Sequence, residues 1–545
     1  MSKLIVKNGT VFDPMNKIEG EKKDILIEKG KIVEKFSNQS AIKEIDASNK
    51  TVIPAAIDIH SHIASQELNW VRLLGSNDKL FQNTWKGLTL TNIAEQYIKN
   101  GYTFVLDANI FPSMVKHAIF NLTNLPVIDS GFLLNVSNLW PLELEFQKGM
   151  VKQASIFLSD LLSISKGFGL KVYNPFESEN WNYQKTREDL NQGGRLYNFK
   201  PIDIYENLTK YAEYLAIPHS IHAHVEGYEN LEGQKNLMTV LNKIKSLGLD
   251  SKHDTNYERS QIFHLAHASS YNVDGNNTEL IQFFNDNINF DLDLGFIGFD
   301  PVNPLITNDR ILINSLQESD PKYKIIRSAV ELEGDTYATL RKFDKKNKVH
   351  CNLWKNAVEL ALTIKNKWQI QLSCNFPNYS KISNIPKIAT WLMSQKARDE
   401  FSSGFNIESH KGSLTFNEFV IISRSSPGKS LGLGTYKGNL GIGADGDINI
   451  LNLKLAKLDI ENNYQVLEKE LENIEYVIKG GKIIKNGDNI DLNSNGKIFW
   501  ASGKVEEGED KFVISKKRDY YQKYYSIFYD TLKVPENEEL FRKII

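Results

Sequence analysis

Short strand-like runs broken by glycine turns occupy both ends of this 545-residue chain, and a long stretch of alternating strand and helix patterns lies between them. At the start, Leu4-Ile5-Val6 precedes Asn8-Gly9, a hairpin signal, and Val11-Phe12 follows. Asp24-Ile25-Leu26-Ile27 then leads through Lys29-Gly30-Lys31 into Ile32-Val33. Towards the other end, the glycine-rich run 440–447 opens onto Ile448-Asn449-Ile450-Leu451. Beyond it, Tyr476-Val477-Ile478-Lys479 and Lys482-Ile483-Ile484 flank Gly480-Gly481. Strands at both ends of an α/β middle predict one small β-sandwich domain built from the two ends, since chain termini often lie close together.

In the middle, 103–107, 170–173 and 220–224 read as strands, while 204–215 and 237–247 carry apolar residues at helical spacing. Such alternation predicts a mainly parallel sheet, either a barrel or doubly wound. No Gly-x-Gly-x-x-Gly opens a helix and no P-loop is present, so nucleotide binding has no support. The expected division is 1–52 plus 428–500 for the composite sheet, 53–427 for the α/β body, and 501–545 for a charged, tyrosine-rich extension that packs on the rest.

Composition narrows the function classes. With 65 basic and 67 acidic residues the formal charge is −2, which gives no electrostatic case for nucleic acid or an anionic membrane. No run of 18 apolar residues appears, and Met1-Ser2-Lys3 opens no signal-peptide core. Two cysteines, Cys351 and Cys374, build no disulfide framework. The expectation is a soluble cytoplasmic protein.

Histidine is scarce, 11 residues, yet seven fall in three clusters: His60 and His62; His219, His222 and His224; His264 and His267. Clustering of this kind suits a metal site, because neutral imidazole is a common ligand for borderline metals. His60-Ser61-His62 ends an apolar strand, and alternation puts both rings on one face. His222 and His224 share a face, with His224 the expected ligand and His222 lining the pocket. His264 and His267 are three apart, so a strand would point them to opposite faces, and His267 at the strand end is the favoured ligand.

Lys171 sits inside the apolar run Gly169-Leu170-Lys171-Val172-Tyr173. A buried ammonium is costly. Its ways out are a carboxylate partner, snorkelling at the strand end, or carbamylation by CO2 into an anionic bridging ligand. The intervals from His62 to Lys171, His224 and His267 divide into strand–helix units of roughly 35 to 55 residues, which places them on strands one, four, five and six of a (β/α)8 barrel.

This pattern resembles the amidohydrolase superfamily, and more closely the A subunits of formylmethanofuran dehydrogenase and of the bacterial formyltransferase/hydrolase complex. The segments that carry the resemblance are Val6-Lys7-Asn8-Gly9, Asp58-Ile59-His60-Ser61-His62-Ile63-Ala64, Leu170-Lys171-Val172-Tyr173-Asn174-Pro175 and Ile217-Pro218-His219-Ser220-Ile221-His222-Ala223-His224. The resemblance implies two divalent ions, most simply zinc. His60 and His62 would hold one, His224 and His267 the other, and N6-carboxylated Lys171 would bridge them. It further implies hydrolysis of N-formylmethanofuran to formate and the amine, or the reverse, inside a multisubunit complex. His222, His264 and the strand-eight residue Asn375 are then the candidates for work on the substrate.

One departure stands out. Where the resembling family reads Thr-Thr-Asp-His-Pro-Asn, this chain reads Ser373-Cys374-Asn375-Phe376-Pro377-Asn378. An asparagine offers a carbonyl oxygen but accepts no proton at neutral pH. Losing a general base costs about 10²–10⁴ in rate, roughly 3–5 kcal/mol of barrier. A weakly active or inactive scaffold subunit of the same complex is therefore the alternative. A cyclic-amide hydrolase of the same superfamily is a third reading.

Overall fold

The computed structural model describes residues 3–74, 78–85, 87–142, 149–175, 199–251, 258–296, 298–319, 337–405, 407, 410–505 and 510–544. Eight parallel strands form a nearly closed barrel: Ala56–Ser61, Tyr102–Ile110, Asp129–Asn135, Gly169–Tyr173, Ile221–His224, Phe263–Leu265, Phe290–Asp293 and Ile370–Gln371, numbered one to eight in that order. Across the remaining seam, the His62 N–H donates to the carbonyl of Phe376 at 2.7 Å. Strand residues are buried almost throughout, as parallel strands covered by helices must be. Helices such as Val151–Ser165, Pro201–Leu215 and Leu231–Lys245 supply the cover with one apolar face each.

A second, nine-stranded sheet joins the two ends of the chain. Thr51–Pro54 pairs antiparallel with Ile448–Leu451 on one side and parallel with Lys3–Asp13 on the other. Leu4, Val6, Ile27, Val52, Ile448 and Ile478 share its separate apolar core. Gly480-Gly481 makes the expected tight turn, with φ of 53° and 72°. Asn8-Gly9 does not. Lys3–Asp13 runs straight through it, because Asn8 takes φ 62° as a bulge between Val6 and Gly9, and the chain reverses instead at Pro14–Asn16.

The C-terminal extension returns to the barrel. Ile498–Trp500 pairs in parallel with strand three and with Phe541–Lys543. The helix Asp510–Tyr524 packs on Val151–Ser165, and the Tyr529 hydroxyl donates to Asp160 Oδ2 at 2.7 Å. At the foot of the barrel, Lys437 Nζ lies 2.8 Å from Asp129 Oδ2, 2.6 Å from Asp447 and 3.2 Å from Asp445, which clasps strand three to the sheet. Among the described residues no helix is long and apolar enough to cross a membrane.

Candidate metal centre

The residues expected to bind metal converge at the C-terminal mouth of the barrel. His60, His62, Lys171, His224, His267 and Asn375 all line one small cavity, with Glu67, Asn109, Tyr173 and Tyr228 among its other walls. Each of the six is at most 6% exposed. Strand registry explains how they meet. Lys171, His222, His264 and Asp291 are Cα partners across strands four to seven and form one level of the barrel interior. From that level only the long lysine stem reaches the cavity; His222 and His264 stay beneath it and are absent from its wall. His222 meets the buried side of His60 instead, its Nε2 3.1 Å from His60 Nδ1.

The parity argument for His264 and His267 fails. Strand six ends at Leu265, and His267 takes a left-handed φ of 34° that swings its ring back inward, so both histidines face the interior. Gly295, at φ 55°, makes room, because a Cβ there would collide with His267. His267 reaches the cavity wall and His264 does not.

A carboxylate overlooked in the sequence lies at the centre of this arrangement. Asp293 Oδ2 sits 3.0 Å from His60 Nδ1 and 3.3 Å from His264 Nε2. Its Oδ1 accepts from the His267 backbone N–H at 3.1 Å and from the Ser373 hydroxyl. Asp291 Oδ1 holds the other side of His264 at 3.0 Å. The signal was present: Phe290-Asp291-Leu292-Asp293-Leu294 alternates acid with apolar residues along a buried strand. Two aspartates at that spacing share one face.

Electrostatics separate the roles. Burial pushes the His60 imidazole down to about 3, against the pull of Asp293. It also holds His224 and His267 well below the ordinary histidine range. These rings are neutral and carry lone pairs. His264 differs: burial opposes its charge, but Asp291 and Asp293 outweigh burial and lift it to about 9. It is a buried cation held between two anions. Asp293 is in turn kept well below the carboxylate range by His60 and His264, against burial.

Among the described residues no carboxylate pairs with Lys171. Burial lowers its amine to about 7 against the distant pull of Asp293, Glu67 and Asp107. A neutral amine is the form that reacts with CO2. Among the described residues Asn375 Oδ1 and Glu67 Oε2 are buried with no hydrogen-bond partner, and both residues line the cavity. Neutral imidazoles, an unpaired amine and two orphaned oxygens around one cavity fit divalent cations. Two further groupings, His60 with His222 and Asp293, and His219 with His222 and His264, bring ligating atoms within 4.8 Å of one another.

Comparison with known proteins agrees with this frame. A profile of the amidohydrolase family matches residues 342–485. Protein FwdA of Methanocaldococcus jannaschii is 28% identical, over 96% of this chain and 95% of its own. The A subunit of the formyltransferase/hydrolase complex Fhc of Methylorubrum extorquens is 23% identical, over 94% of this chain and 93% of its own. The fold matches a chain in the crystal structure of the formyltransferase/hydrolase complex (FhcABCD) from Methylorubrum extorquens in complex with methylofuran. That match has a TM-score of 0.84, 20% identity and 99% coverage of each chain. These likenesses bear out the resemblance to the amidohydrolase superfamily and the barrel it implied.

Proposed function

From that resemblance we propose that the chain is the metal-dependent hydrolase subunit of a formylmethanofuran dehydrogenase or formyltransferase/hydrolase complex. It acts on the C–N bond of N-formylmethanofuran, giving formate and the amine or the reverse. The observation that carries this reading is the convergence of His60, His62, Lys171, His224 and His267 on one buried cavity. Likeness along nearly the whole chain to FwdA and to the Fhc relative supports the complex and the carrier. Residues 53–427 correspond to the catalytic barrel and 1–52 with 428–500 to the accessory sheet, except that Thr51–Pro54 lies wholly in that sheet and Ile498–Trp500 pairs with barrel strand three; the complex is cytoplasmic.

His60 and His62 would hold one ion and His224 and His267 a second, with Lys171, once carboxylated, the residue that would serve both; zinc suits this donor set. When bound, such ions supply Lewis acidity and lower the pKa of water. The protein's own contribution is to exclude solvent, keep His60, His224 and His267 neutral and supply Asn375, a cavity-lining residue whose buried Oδ1 would orient the formyl group or an ion. Asp293 is wrapped by His60, His264, Ser373 and the His267 backbone, so it orients ligands and does not meet substrate.

The test is formate release from N-formylmethanofuran by the purified complex, with elemental analysis alongside. Turnover that vanishes in Lys171→Ala together with the metal supports the proposal; a zinc-loaded complex without formate release refutes it. A second reading, a scaffold subunit with a residual metal site, is favoured by Asn375 and by Phe376, whose ring is buried edge-on against Tyr97 at 5.8 Å. Asn375→Asp separates the two. A gain of 10²-fold or more identifies an enzyme short of its base, and no gain identifies the scaffold.

A further inference from the structure

We propose that His219 and His222 are positioning residues: a hydrogen-bond chain with one N–H per ring that, with Asp293, holds His60 in the Nδ1–H tautomer and leaves its Nε2 lone pair for the cavity. This rests on the reading of His60 as a metal ligand and adds what sets that ligand's donor atom.

The chain can be followed from its buried end. The backbone carbonyl of Ser430 accepts hydrogen bonds and donates none, and His219 Nδ1 lies 2.9 Å from it. His219 Nδ1 therefore bears the hydrogen, and in a neutral ring Nε2 is the acceptor. His219 Nε2 lies 3.1 Å from His222 Nδ1, which must donate. His222 Nε2, now an acceptor, lies 3.1 Å from His60 Nδ1, which must donate in turn. Asp293 Oδ2, 3.0 Å from that same nitrogen, makes the same demand from the other side. The opposite polarity would set a lone pair against the Ser430 carbonyl at one end and another against a carboxylate at the other.

Two acceptors, the Ser430 carbonyl and the Asp293 carboxylate, thus select one proton arrangement for three rings. His60 lines the cavity, and its Nδ1 is the nitrogen engaged by both Asp293 and His222, which leaves Nε2 as the ring nitrogen for a ligand there. All three imidazoles are at most 1% exposed, which removes them from bulk water. Buried imidazoles cost free energy that an apolar filling would avoid, unless their hydrogen bonds are all made. The side chain opposite a metal on a ligating histidine fixes tautomer and orientation, and its loss typically weakens metal binding 10–100-fold.

The direct test is 15N spectroscopy of the full-length, zinc-free protein with labelled histidines. His60, His219 and His222 should each be Nδ1–H tautomers; an Nε2–H signal from any of them overturns the proposal without recourse to a variant. The second test titrates zinc by chelator competition. His219→Leu should weaken zinc binding 10–100-fold and give His60 a mixed tautomer signal. His219→Gln, whose amide oxygen replaces the Nε2 acceptor, should restore both. Wild-type zinc affinity in His219→Leu, while His60→Ala loses zinc, refutes the chain. Wild-type affinity in His60→Ala refutes the metal reading itself.

Discussion

Asp293 Oδ2 lies 3.0 Å from His60 Nδ1, which ties strand seven to strand one across the last strand of the barrel. The same oxygen also faces the His264 cation at 3.3 Å. Asp293→Asn keeps the shape but removes the charge, leaving a buried imidazolium with Asp291 alone. Breaking a buried charge pair costs about 3–5 kcal/mol. Urea unfolding of the zinc-free protein should show a loss of that size, and zinc binding should weaken with it.

Lys171→Met is expected to split stability from metal binding. The wild-type amine is 1% exposed and unpaired among the described residues, so an isosteric thioether relieves a burial cost. Zinc content should collapse while the zinc-free protein gains on the order of 1–3 kcal/mol. Denaturant unfolding paired with elemental analysis checks both; a destabilised zinc-free variant would show that the amine has a partner of its own.

Gly295→Ala targets His267 without touching a donor atom. At φ 55° an added methyl strains the backbone and meets His267 directly. The expected outcome is lost zinc together with a strain cost of about 1–3 kcal/mol. Gly443→Ala, at φ 92° with open space around it, is the control and should carry the strain with no change in zinc.

Acid should loosen the foot of the barrel. Burial raises Asp129, but Lys437 and Lys479 outweigh it and hold the carboxyl below its usual range. Asp445 is likewise lowered against burial, by Lys437 and Arg542. An unfolded chain therefore takes up protons as pH falls through about 4 while the folded one does not. Stabilisation from these pairs is complete above that pH and is lost progressively below it. Asp129→Asn should unfold more easily at pH 7, and its deficit should shrink as the pH is lowered towards 3.

The barrel was legible because strand and helix periods alternate over hundreds of residues, and the donor residues because histidine is scarce and clustered. What escaped was depth. Parity tells which side of a strand a residue faces but not its level, so His222 and Lys171, Cα partners on adjacent strands, looked equally able to reach the cavity. Parity also ends where a strand ends, as the inward turn of His267 shows. Asp293 escaped because aspartates far from any histidine in sequence give no clustering signal, although the alternation around it was there to be read. Asn8-Gly9 misled because a left-handed Asn serves a bulge as well as a turn.

The pairing of Thr51–Pro54 with Ile448–Leu451 has a consequence for biosynthesis. The amino-terminal strands leave the ribosome early, yet the edge they offer stays bare until nearly four hundred more residues have been translated. During that interval it is an unprotected template for aggregation, and a nascent chain of this kind depends on a holding chaperone or on rapid barrel closure to survive the wait.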